Sequence, residues 1–229
     1  WQYTQESMRG KSEMVKKNSA NQTSSGLDRD YITQWSYGID ETWTLLVPNT
    51  KGGASVPLAQ NEKAMEKANP EFYQIYQQMG QYWGDQPGTS GPVYVGAFVM
   101  MLFVLGLFIV KGPMKWALLA ATVLSVLLSW GRNFMWFTDL FLDYVPMYAK
   151  FRTVASILVI AEFTIPLLAM LALKKVLETE NFLKGTTPLL VGTASHRLVC
   201  REVKNRSWLA LSFLLTAGMC VAFAIMPSV

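Results

Sequence analysis

An all-α polytopic membrane protein, with about four transmembrane helices and a large extracytoplasmic loop segment, is the architecture that this sequence predicts. Three observations predict it. Half of the residues are apolar and few are charged, a balance rich for a soluble domain and ordinary for a polytopic chain. The apolar residues are unevenly placed: residues 1–92 are polar throughout, whereas 93–229 hold the long apolar runs. Those runs approach the length that a helix needs to cross about 30 Å of hydrocarbon.

In chain order, the polar segment opens with turn-forming residues, and NSANQTSSG at 18–26 is expected to be a surface loop. Asn21, Gln22 and Thr23 match a glycosylation sequon, a pattern so short that coincidence explains it best. WSYGIDETWTLLVPNTKGG at 35–53 joins an apolar patch to a turn-rich tail, where Pro48 and two glycines stop any helix. Asn69, Pro70 and Glu71 supply a capping residue, an N1 proline and an acidic first turn, which together predict a helix start. Phe72, Ile75, Tyr76 and Met79 follow at helical spacing and give one apolar face, expected to pack on the membrane domain rather than hold a cofactor. The Gly- and Pro-rich stretch at 81–92 reads as a connector.

The first expected span, 93–110, is uncharged and as a helix would reach about 27 Å at roughly 1.5 Å per residue. Gly112 and Pro113 break it. A second, 113–130, carries Trp116 and Trp130 near its ends, where the headgroup belt favours indole rings. It is shorter, and a re-entrant segment is its alternative. The third, 153–173, contains Glu162 and Pro166. Its aliphatic and aromatic residues favour insertion by roughly 0.3–0.6 kcal/mol each, which outweighs about 3 kcal/mol for one ionised acid. The fourth, 207–226, opens on Trp208 and closes before Pro227.

Loop cations orient these spans. Lys111 and Lys115 in one turn, and Lys174, Lys175, Lys184, Arg197, Arg201, Lys204 and Arg206 in the loop at 174–206, favour the cytoplasm. Alternation then places residues 1–92 and 131–152 outside. Nothing near Trp1 resembles an export signal, so an internal fragment of a longer polytopic protein is expected.

Several function classes find no support in the residues. Cys200 and Cys220 lack CxxC spacing and are expected to be free thiols, and His196 is the single histidine, which argues against a zinc site. No dinucleotide fold fingerprint, phosphate-binding loop or nucleophile elbow is present. No cofactor and no metal are expected, and membrane lipids rather than nucleic acid are the expected partners. Glu162, the one acidic residue inside an expected span, is a candidate polar site. A proline four residues on leaves its carbonyl without a helical donor.

GLDRDYITQWSYGIDETWTLLVPNTKGG, YWGDQPGTSGPVYVG, FIVKGPMKWALL, LSWGRNFMWFTDLFLDYVPMYAKFR and ASILVIAEFTIPLLA closely resemble, in order, segments of YfhO-like bacterial membrane proteins. The resemblance covers residues 26–175. It implies a helical enzyme of the bacterial cytoplasmic membrane, similar to GT-C glycosyltransferases, that takes sugar from a polyprenyl-phosphate donor and modifies a cell-envelope polymer or lipid. Such enzymes carry acidic catalytic residues in a first external loop, which is expected upstream of this sequence, so the catalytic residues are not assigned here. A transporter or flippase, or a non-catalytic assembly protein, remains the alternative.

The resemblance bears on FTDLFLDYVPMYAKFR at 137–152. Were Phe137–Tyr144 helical, Asp139 and Asp143 would share one face, opposite a broad aromatic face lying along the membrane surface. Arg132, Lys150 and Arg152 would then fall at headgroup depth and hold a lipid-linked phosphate. An aromatic interfacial belt with ordinary flanking cations fits the same residues.

Overall fold

In a computed structural model of the chain, residues 23, 27–91, 93–194 and 197–225 are described. Asn21 and Gln22 of the sequon, nearly all of the loop around it, and His196 lie outside the described residues. The fold is mostly helical. Its helices are α1 (Arg29–Ile32), α2 (Glu62–Met65), α3 (Tyr73–Gln78), α4 (Ala97–Ile109), α5 (Met114–Ser129), α6 (Met135–Tyr144), α7 (Val159–Glu178) and α8 (Asn205–Ile225). Two antiparallel strand pairs join them, β1 (Gly52–Pro57) with β2 (Gly80–Tyr82) and β3 (Thr186–Ala194) with β4 (Arg197–Lys204).

Among the described residues, two helices are long and apolar enough to cross a membrane, Val154–Glu178, which includes the 3-10 turn leading into α7, and α8. A third is obtained if α5 and the stretch Gly131–Tyr144 count as one span, although the chain bends there by 107°. Of the four expected spans, two or three are thus shown among the described residues. Residues 93–110 supply a helix of only 13 residues, roughly 20 Å long against a core of about 30 Å. Gly96 at φ 109° delays its start, and Val110, extended at ψ 129°, ends it.

The helical expectation holds in the main, and four strands stand beside the helices among the described residues. β3 and β4 occupy the loop expected at 174–206, paired from Thr186↔Lys204 to Ala194↔Arg197 with an irregularity between Leu190 and Gly192. β3 carries three threonines and a valine and β4 two valines, and such β-branched residues suit a pleated ribbon. The helix start at Asn69 is present, its side chain accepting from the Glu71 amide at 3.1 Å. Phe72 and Ile75 beyond it stay about half exposed, at 47% and 52%.

The described chain divides into two compact units. The first takes the described residues up to Thr44, with Asn49–Val93 and Leu124–Val159. Ile32, Leu142, Ala149 and Val154 form its buried cluster. Segment 36–44 is fastened to the bend after α5: the Tyr37 amide donates to the Ser129 carbonyl at 2.8 Å, and the Arg132 amide donates to Ser36 Oγ at 2.9 Å. Asn133 Nδ2 donates to the Tyr37 carbonyl, and Trp130 Nε1 to Thr42 Oγ1, both at 2.9 Å. Breaking a helix orphans backbone groups; the first two bonds satisfy one carbonyl and one amide at the break, and the two side-chain bonds tie the segment down, which is how so sharp a bend is tolerated.

The second unit takes Leu45–Pro48, Tyr94–Val123 and the described residues from Ile160 onward. Its core packs Leu102, Leu105 and Ile109 of α4 on Ala169 and Ala172 of α7, with Phe182 and Trp208. Phe108 stacks on Trp208 at 4.3 Å. Gly106 permits the close approach of α4 to α7, since a Cβ there would sit 3.1 Å from the Leu168 carbonyl and 3.3 Å from Ala172 Cβ. The hairpin is tied in by Asn205, which accepts from Thr187 Oγ1 at 2.6 Å and donates to the Phe182 carbonyl at 3.0 Å.

Candidate functional site

α6 forms as expected, and Asp139 and Asp143 lie one turn apart on one face. They are occupied by a residue that sequence reasoning missed. Arg29 Nε donates to Asp139 Oδ1 at 3.0 Å and its Nη2 to Asp143 Oδ1 at 2.7 Å, so one guanidinium clamps two successive turns. The three side chains are partly exposed. Each pair contributes at most about 1 kcal/mol, which makes the clamp a positioning device for α1 on α6 more than a source of stability.

Past Tyr144 the backbone departs from ordinary geometry. Met147 and Thr153 both adopt left-handed conformations, at φ 73° and 71°, on either side of a 3-10 turn over Tyr148–Lys150. A β-branched residue in that region costs on the order of 1–3 kcal/mol, and such strain concentrates where a fold must present a group in one particular direction. Here it shapes an open cleft of about 250 Å³ lined by Tyr148, Phe151, Arg152, Thr153 and the start of the following helix, including Ser156 and Ile157. Thr153→Gly is expected to raise the unfolding free energy by about 1 kcal/mol, because the relieved strain exceeds the entropy added to the unfolded chain. Thermal unfolding followed by tryptophan fluorescence reads it, and a lowered midpoint would contradict the left-handed geometry.

Arg152 is the cleft's cation. Its guanidinium lies 4.4 Å from the Trp35 ring centroid and 5.2 Å from that of Tyr31, and Nη1 donates to the Tyr31 hydroxyl at 2.9 Å. Aromatic faces hold a guanidinium without using its in-plane donors, so a fork of N–H groups stays available. Among the described residues no carboxylate pairs with Arg152, in contrast to Arg29. Beside it, the Tyr148 hydroxyl is buried with no hydrogen-bond partner. Burial pushes its pKa up to about 12, so it remains a protonated donor at neutral pH.

The other two expected cations do not line this cleft. Arg132 is directed elsewhere, its Nη2 donating to the Asp85 carbonyl at 2.8 Å. Lys150 sits half-buried in the 3-10 turn. Glu162 belongs to the second unit and is exposed, outside the buried stripe of Ala161, Thr164, Ile165 and Leu168 on its own helix.

A second residue missed from sequence is Glu41, only 1% exposed. Oε2 accepts from the Gly38 amide at 3.1 Å, and Oε1 from the Tyr82 hydroxyl at 2.8 Å and from Gln86 Nε2 at 3.5 Å. Its pKa is raised, chiefly because burial penalises the charged carboxylate, with the nearby Asp85 charge adding to the effect and the three hydrogen bonds opposing it. The available signal was an acid inside the aromatic stretch WSYGIDETW, which a plain surface loop does not need. Glu41 couples two loops. No family model, no curated protein and no solved structure matches the chain.

Proposed function

We propose that the Arg152 cleft binds the phosphate of a lipid-linked donor, as part of a GT-C-type glycosyltransferase of the bacterial cytoplasmic membrane. The observation that carries this reading is the presentation of Arg152: a guanidinium fixed on two aromatic rings at the edge of a cleft that also offers Phe151, Val154 and Ile157. A lipid phosphate needs both halves of that arrangement. Its charge needs forked or point donors, and its chain needs hydrocarbon. The unpartnered Tyr148 hydroxyl supports the reading, because an acceptor oxygen reaching it would recover the roughly 1–3 kcal/mol that an unsatisfied buried donor costs. The resemblance to YfhO-like proteins supplies the remainder: a polyprenyl-phosphate sugar as donor, a cell-envelope polymer or lipid as acceptor, and this cleft on the outer side.

The test is donor binding by the full protein in detergent, with polyprenyl phosphate as the probe and native mass spectrometry as the readout. Arg152→Gln is expected to weaken binding about 10- to 100-fold, from the roughly 1.5–3 kcal/mol of a hydrogen bond to a charged group. Arg152→Lys keeps the charge but not the fork and should fall between the two. Normal expression of Arg152→Gln with unchanged affinity would remove the phosphate from this cleft.

A further inference from the structure

We infer that a second cleft, between the end of α4 and the last turns of α7, holds the phosphate headgroup of an anionic phospholipid. The cleft has a volume of about 250 Å³ and is lined by Val110, Lys111, Leu171, Lys174, Lys175 and Glu178. It lies within the second unit and does not depend on Arg152.

The charges do not balance internally. Three lysines face one carboxylate, and that carboxylate is held loosely: Lys174 Nζ lies 3.7 Å from Glu178 Oε1, with both side chains more than 60% exposed. Such an exposed pair is weak and leaves Lys174 able to turn toward a better acceptor. The last turn of α4 already receives Lys115, whose Nζ donates to the Leu107 carbonyl at 2.8 Å. About two positive charges are left at this helix end, which a singly charged phosphodiester matches in sign and chemistry.

Lipid, rather than a free anion, is favoured by the surroundings. Val110 and Leu171 give the cleft an apolar wall, and on α7 the neighbouring Met170 and Leu177 are 62% and 75% exposed. Lys174, Lys175 and Glu178 sit in the last turns of a helix long and apolar enough to cross a membrane. Lysines at that depth lie beside headgroups, and exposed apolar side chains beside acyl chains.

The experiment uses the full protein, delipidated in detergent and titrated with phosphatidylglycerol or with phosphatidylcholine of the same chains, bound lipid being counted by native mass spectrometry. Phosphatidylglycerol is expected to bind at least 10-fold more tightly. Each lysine changed to glutamine among Lys111, Lys174 and Lys175 should lower that preference about fivefold. Changing all three to arginine should preserve it. Glu178→Gln, an exposed change that spares the core, should tighten phosphatidylglycerol binding several-fold. Equal binding of the two lipids, or a preference unmoved by lysine removal, would overturn the inference. So would inorganic phosphate that binds with the affinity of the lipid, which would mark a free-anion site. If the lysine variants fail to fold, Glu178→Gln decides alone, and no tightening counts against the site.

Discussion

Gly131→Val should leave little or no folded protein. Two independent demands meet at this residue. Its backbone is left-handed, at φ 45°, and a Cβ built there would run into Ser36 Oγ and come within 2.6 Å of Val154 Cγ2. Neither neighbour can retreat. Ser36 is fully buried, donating to the Thr33 carbonyl at 2.6 Å while accepting the Arg132 amide, and Val154 belongs to the core cluster of the first unit. Strain in a bulky residue at positive φ and overpacking each cost about 1–3 kcal/mol, and the displaced Ser36 would also leave the part-buried Arg132 amide without its acceptor. Their sum is a large part of the 5–15 kcal/mol that typically separates folded from unfolded states. Gly112 provides the control, because its φ of 101° is also left-handed while a Cβ added there would meet no atom within 4 Å. Gly112→Ala should therefore cost only the conformational part, about 1 kcal/mol, and Gly131→Ala at least twice that. Fluorescence-detected size exclusion and thermal unfolding in detergent compare them. Equal losses at the two sites would mean that segment 36–44 does not press on the bend.

What the sequence discloses and what it conceals follow from the kind of signal each feature leaves. α8 and the helix Val154–Glu178 were readable because long apolar composition favours a membrane helix, even with Glu162 and Pro166 inside the second of them. From sequence, a helix over 137–144 is a condition that would put Asp139 and Asp143 on one face, and the chain forms it. What holds the bend after α5 was not readable, because Trp130 and Gly131 show from sequence only an interfacial helix end or a re-entrant turn. What turns the chain is a bundle of bonds to residues 36–42, nearly a hundred positions earlier. Arg29 was hidden for the same reason, lying 110 positions from Asp139. The hairpin at 186–204 was masked by its basic residues, which satisfied an expectation about cytoplasmic loops and drew attention away from strand propensity. At the cleft, Arg152 could be named from charge and position, but its separation from Arg132 and Lys150 depends on tertiary geometry that spacing does not encode.

Glu41→Ala should lower stability by about 3 kcal/mol at neutral pH, since it strands the Gly38 amide and the Tyr82 hydroxyl, both of which now donate to the carboxyl group. The pH dependence separates this role from simple loss of bulk. Burial raises the Glu41 pKa above its ordinary value of 4.5, so the folded chain holds this proton more tightly than the unfolded chain. Well below 4.5 both states are protonated, and Glu41 contributes no slope. As pH rises from there, the unfolded chain releases its proton first and the folded state loses stability. The loss is complete once pH has passed the raised folded value. Glu41→Gln cannot titrate. It retains one acceptor but turns an amide toward a donor, so it should be less stable than the wild type at low pH, where the neutral acid fits best. The gap between the two proteins should then narrow as pH climbs through that window. Chemical denaturation at several pH values, read as the wild-type minus Glu41→Gln difference, cancels the other titrating groups that the two chains share. A gap that widens with pH would show that the carboxylate is held in its charged form, and Glu41 would then be an anion stabilised by its donors rather than an acid strained by burial.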